Sequence, residues 1–155
     1  MEVSTPGRIC LFGEHQDYLG LPVIAMAISL RAKIIGEKRL DQKVIIHMPD
    51  IERTERFDLN DMEYRKERDY FKSGIRVCKK EGLSFASGFE CEISSDIPIK
   101  AGTSSSSAIV VSWINFLNQM ADDPMKLINE KIGELSFKAE VTAVSYTHLR
   151  AHETS

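Results

Sequence analysis

Along the first third of the chain, apolar residues come in short runs rather than at helical spacing. Ile9-Cys-Leu-Phe12 is such a run, set between Gly7 and Gly13, and it reads as a strand that ends in a turn. Pro22 to Ile28, Ala32 to Ile35 and Lys43 to Met48 read as further strands. Polarity rises around Leu59, where a helix is expected to begin. Tyr70, Phe71, Ile75, Val77 and Cys78 then fall at helical spacing, and Gly82 is placed to end that helix. Gly88 to Ile93 alternates apolar and polar, as a half-buried strand does. Two longer helices follow, one from about Ser105 to Met120. The next is expected to open at Asp123-Pro124, with proline at a favoured first position, and to include Lys138-Ala-Glu140. Strands first and helices interleaved later predict an α+β domain.

The last residues break this pattern. Thr147 to Ser155 has no clean apolar face and leads into no further element. The stretch resembles translated read-through of a sequencing adapter; a natural frayed terminus is the alternative. The expected organisation is an incomplete domain over residues 1–143 and a non-native tail over 144–155. His148 and His152 are therefore not read as a ligand pair, despite their i, i+4 spacing.

Composition narrows the classes. With 155 residues, 43% of them hydrophobic and 28% charged, the chain matches one ordinary globular domain. The net charge of −3 comes with no concentrated basic face, so no nucleic-acid partner is expected. The densest charged stretch, Glu63 to Asp69, mixes both signs and reads as solvated. Cys10, Cys78 and Cys91 lie far apart and form no metal or disulfide pattern, which leaves them as buried or incidental thiols. No apolar run would span a bilayer and no leader precedes the first motif, so a cytoplasmic location is expected.

The chemistry is carried by two motifs. One is Ile97-Pro-Ile-Lys-Ala-Gly102-Thr-Ser-Ser-Ser-Ser-Ala108, which follows a strand and opens an apolar helix. Small residues let a backbone approach an anion closely. The unpaired amides of a helix start, with its dipole, then attract that anion. Hydroxyls of Ser104 to Ser107 suit phosphate oxygens or the oxygen shell of magnesium. The Gly-Lys-Ser/Thr ending of a Walker A loop is missing. Taken alone, such a turn is equally a capped helix start. The other motif is Pro6-Gly-Arg-Ile-Cys-Leu-Phe-Gly-Glu-His-Gln-Asp-Tyr-Leu-Gly20. Its Glu14, His15 and Asp17 supply the acceptors and donor that a polyhydroxylated sugar requires, or else they cap a turn.

Together the two motifs resemble the GHMP kinase superfamily. The stretch from Gly7-Arg8 through Gly13-Glu-His-x-Asp-Tyr18 is similar to the galactokinase signature, and Pro98 through Ala108 resembles the family's nucleotide motif. The resemblance implies a truncated GHMP kinase N-terminal domain whose parent phosphorylates a sugar at its anomeric hydroxyl. The implied small molecules are ATP, Mg2+ and the sugar. It places Arg8 near the transferred phosphate, and Glu14, His15 and Asp17 on the sugar. Lys100, Ala101, Gly102, Thr103, Ser104, Ser105, Ser106 and Ser107 would hold ATP, with Ser106 and Glu140 as metal ligands.

Several departures qualify this. Cys10 replaces an asparagine common in galactokinases, and Thr103 the usual leucine. Gly20-Leu-Pro-Val-Ile-Ala25 is closer to mevalonate kinases, whereas Arg8 and Asp17 favour a sugar. The Gly-rich turn and Met-Asp that carry the family's proposed catalytic base do not follow Glu140. The 155 residues alone are therefore expected to be inactive and poorly soluble, and a binding-only sensor or pseudokinase is the alternative outside catalysis.

Overall fold

The computed structural model describes residues 1–12, 19–66, 69–98 and 105–153, with side chains up to Ser145. Five strands form one sheet: β1 (Glu2–Phe12), β2 (Ile24–Lys38), β3 (Lys43–Met48), β4 (Arg53–Asp58) and β5 (Phe89–Ser95). Their order is β1-β2-β5-β3-β4, with every neighbouring pair antiparallel except β5 and β3. Helices α1 (Tyr70–Lys80), α2 (Ser105–Met120) and α3 (Asn129–Glu153) complete the α+β domain.

Alternation along the strands decides which face is covered. Ala32 and Ile34 of β2, Val44 and Ile46 of β3, and Phe89, Cys91 and Ile93 of β5 are all buried. Their neighbours Lys33, Ile35 and Glu92 are exposed. This is the one-sided burial of a largely antiparallel sheet. Trp113 of α2 stands at the centre of the core with no exposure. It meets Phe71 edge-on at 5.1 Å, Phe89 edge-on at 5.8 Å, and Phe116 in a stack at 5.8 Å. Its indole N–H donates to the Phe71 carbonyl at 3.0 Å, so the one polar atom of the ring is satisfied.

Side-chain bonds fix the run of the helices. Lys38 of β2 donates to the carbonyl of Ala121 just past α2, while Ala108 near its start packs with Ala32. Helix α2 thus runs parallel to β2 and antiparallel to β1. Lys131 pairs with Glu81 at 2.8 Å, and Ser73 donates to the Ala139 carbonyl at 2.6 Å, so α3 runs back along α1.

The structure moves three expected boundaries. The chain does not turn helical near Leu59, because the Leu59 amide donates to the Gln42 carbonyl and stays tied to the start of β3. Helix α1 begins only where the Asp69 carboxylate caps the Lys72 amide. The last helix opens at Asn129 and not at Asp123-Pro124. Asn118 bonds both the amide and the carbonyl of Met125, which holds this connection off the helix. The two runs read as separate strands over 22–35 are one strand, β2, with a break in its pairing. Backbone helix continues through Val144 to Glu153, the stretch expected to be a tail. Among the described residues, no helix is long and apolar enough to cross a membrane.

Candidate functional site

Two elements bring site residues to one end of the molecule. Strand β1 pairs regularly with β2 up to Pro6↔Arg31, then shifts register, so that Arg8 opposes Ala27. Gly7 therefore faces three residues of β2, Ile28 to Leu30, an excess of two. Bulges of this kind bend a strand and re-aim the side chain that follows. Arg8, the next residue, is exposed. Because α2 runs antiparallel to β1, its first turn lies at this same end. Ser105 and Ser107 there are half-buried, and Ser106 is exposed. Glu140, half-buried on α3, follows Ala139 directly and so lies level with Ser73 of α1.

The structure thus gathers Arg8, Ser105, Ser106 and Ser107 at one end and sets Glu140 in the adjoining helix layer. Glu14, His15 and Asp17 lie outside the described residues, as do Lys100, Ala101, Gly102, Thr103 and Ser104.

One feature escaped sequence reasoning. Beside the first turn of α2 is a cavity of about 170 Å³ lined by Met48, Ile51, Ile93, Ile97 and Ile109, with Asp50 and Ser105 at its polar rim. Its polar groups are largely paired with one another. The Asp50 carboxylate accepts from the Ser95 amide at 2.8 Å, and the Ser95 hydroxyl accepts from the Ile97 amide at 3.2 Å. What remains is an apolar slot next to a helix start, suited to a flat apolar group linked to an anion. Its lining comes from a 3₁₀ turn at Pro49–Ile51, from β5 and from α2, so no contiguous motif announces it.

Among the described residues, no three His, Cys, Asp or Glu side chains gather as a metal-holding group. Ser106 and Glu140 fit magnesium in donor type, since that ion takes one or two carboxylates and fills its shell with phosphate oxygens and water. The titrating groups with resolved shifts lie elsewhere. Burial raises the Asp69 carboxyl and pushes the Cys78 and Cys91 thiols up to about 12. Hydrogen bonds from His47 and Arg39 hold Glu90 below its usual range.

A fold with a helix start and a bulged arginine strand at one end of a half-covered sheet is that of a known kinase class. The sequence profile for the GHMP kinases N terminal domain matches residues 69–148, over half the chain, and the chain belongs to this family of phosphotransferases. A second profile, the galactokinase galactose-binding signature, matches residues 2–38. The galactokinase of Pasteurella multocida is 30% identical over 144 residues, covering 90% of this chain and 37% of that protein. The mevalonate kinase of Thermococcus gammatolerans is 31% identical over 148 residues, covering 89% and 44%. Among solved structures, Methanococcus jannaschii mevalonate kinase superposes with a TM-score of 0.78 at 26% identity, over 90% of this chain and 45% of that one. Lactococcus lactis galactokinase complexed with galactose gives 0.77 at 28%, over 92% and 38%. The chain therefore spans less than half the length of these relatives.

Proposed function

We propose that this chain supplies the nucleotide- and sugar-contacting half of an ATP-dependent kinase that phosphorylates a sugar at its anomeric hydroxyl. The observation that carries this is the galactose-binding signature over residues 2–38, on the strand whose end shares one side of the molecule with the start of α2. In this reading the adenine ring enters the apolar slot and its phosphates meet the amides and hydroxyls from Lys100 to Ser107. Arg8 faces the transferred phosphoryl group, where its permanent charge offsets the negative charge that develops in transfer. Glu14, His15 and Asp17 hold the sugar hydroxyls. Magnesium, held by Ser106 and Glu140 together with phosphate oxygens, would supply further charge neutralisation.

Phosphoryl transfer is mostly positioning and charge stabilisation, so the residues named above would act chiefly by holding the reacting groups in place. The proposed division stands at 1–143 for the domain and 144–155 for a non-native tail. The second reading, a mevalonate-type kinase, draws on the Thermococcus relative and on Gly20-Leu-Pro-Val-Ile-Ala25. The test is to sequence the source gene across the codons for Ile132 to Ser155 and assay its whole product with ATP against galactose, other hexoses and mevalonate. ATP consumption with a hexose supports the proposal. Consumption with mevalonate alone favours the second reading, and a frame ending at Ser155 with no turnover favours a binding-only protein.

A further inference from the structure

Helix α2 carries a serine where packing alone asks for none. Ser112 has no exposure and lies among Trp113, Ile114 and Phe116, which fill the core. A buried hydroxyl needs a partner, and inside a helix the nearest is the carbonyl four residues back. Ser136 on α3 does this, donating to Ile132 at 2.7 Å. Ser112 does not; its hydroxyl leaves the helix and donates to the Thr5 hydroxyl on β1 at 2.6 Å.

The place of that bond gives it meaning. Thr5 is one residue short of the register break between Pro6 and Arg8. Pro6 has no N–H to give the ladder, so backbone pairing is weakest just where the strand turns to present Arg8. Beyond the tie, β1 runs forward from Thr5 to Arg8, roughly 10 Å at about 3.3 Å per residue. Helix α2 runs back from Ser112 to Ser105, also roughly 10 Å at 1.5 Å per residue. The two run towards the same end of the molecule. A bond at Thr5–Ser112 therefore sets the level of Arg8 against the first turn of α2.

We propose that Ser112 is a positioning residue: through Thr5 it holds Arg8 at the level of the terminal phosphate of a nucleoside triphosphate seated on α2. The inference rests on the kinase reading above. Arg8 in this position discriminates ATP from ADP, because only ATP carries the phosphate it faces, while the cavity and helix start serve both nucleotides alike.

The experiment is calorimetric titration of the 155-residue chain with MgATP and with MgADP, for wild type and the variants Arg8→Met, Thr5→Val, Thr5→Ser and Ser112→Ala. Valine keeps the shape of threonine and removes the acceptor; serine keeps the acceptor. Thr5→Val and Ser112→Ala are expected to cut the ATP-over-ADP affinity ratio about fivefold, the scale of one hydrogen bond, with ADP affinity unchanged. Thr5→Ser keeps the wild-type ratio, and adding Arg8→Met to Thr5→Val causes little further loss. If Arg8→Met lowers the ratio but Thr5→Val does not, or Thr5→Val weakens both nucleotides in parallel, the positioning role is overturned and the kinase reading stands. If Arg8→Met leaves the ratio unchanged, or wild type binds neither nucleotide, the assignment of Arg8 falls and this inference with it.

Discussion

The packing of α1 on α2 makes one substitution act with opposite sign at two helical glycines. A methyl added at Gly74 would lie 2.6 Å from Trp113 Cδ1 and 2.8 Å from its Nε1, closer than real contacts allow. The indole has nowhere to retreat, since Phe71, Phe89 and Phe116 surround it at 5.1 to 5.8 Å and its N–H is engaged at Phe71. Gly133 on α3 is exposed, and a methyl there meets nothing within 4 Å. Alanine gains up to ~1 kcal/mol of helix propensity at either place. At Gly74 that gain opposes ~1–3 kcal/mol of overpacking and ~0.5–1.5 kcal/mol for the strained indole bond, leaving a net loss near 2 kcal/mol. At this chain length the melting temperature should fall by roughly 4–8 °C for Gly74→Ala and rise by roughly 2–4 °C for Gly133→Ala. Trp113, the single tryptophan, reports the transition by fluorescence at one fixed heating rate and submicromolar protein, where association is suppressed. A Gly74→Ala variant melting at or above wild type would refute the close α1–α2 contact at Trp113.

Other expectations concern charge and thiols. Cys78 and Cys91 are buried with thiols pushed up to about 12, so at pH 8 only Cys10 should react with a disulfide reagent until the chain unfolds, as counted by mass spectrometry. Asp41 is held below the ordinary carboxylate range by Arg39, Glu90 by His47 and Arg39, and Glu134 by Lys138 and Lys131; a depressed folded-state value gives stability that is lost as pH falls below about 4.5, so the urea midpoint should drop there. Asp69, raised by burial, acts in the other sense: its cost is present at neutral pH and relieved in acid, so Asp69→Asn, which still caps α1, should raise the midpoint at pH 7 and not at pH 4. In the proposed metal site Glu140 is the one carboxylate, so calorimetry should find Mg2+ binding only when ATP is present, and Glu140→Gln should weaken MgATP more than metal-free ATP.

Some of the fold was legible because local and tertiary preferences agree. Helix α2 matches its expected bounds, since its apolar residues begin right after the serine run and most of them find the core. Strand β3 matches for the same reason, with Val44 and Ile46 on the covered side. Strand β4 was not legible. Arg53-Thr-Glu-Arg-Phe-Asp58 has one large apolar residue, and it lies at the edge of the sheet, where charge is favoured because it blocks further pairing. The start of α3 was misread because proline at a helix start is a local preference, and Asn118 overrides it from the neighbouring helix.

The site divides along the same line. Arg8 and the serines of α2 stand in contiguous motifs, so they could be singled out directly as candidates. Their meeting at one end depends on α2 running parallel to β2, which no local pattern encodes. The slot is harder still, because its walls extend from Met48 to Ile109 and each is an unremarkable apolar residue in its own element. At this same end stand exposed apolar side chains: Phe12 is 71% exposed, Leu19 61% and Ile24 55%. Of β2, only Ala32–Lys38 pairs with β5, so the outer half of the β1–β2 ribbon stands clear of the rest of the sheet. Apolar surface beside a site is what a closing partner domain would cover.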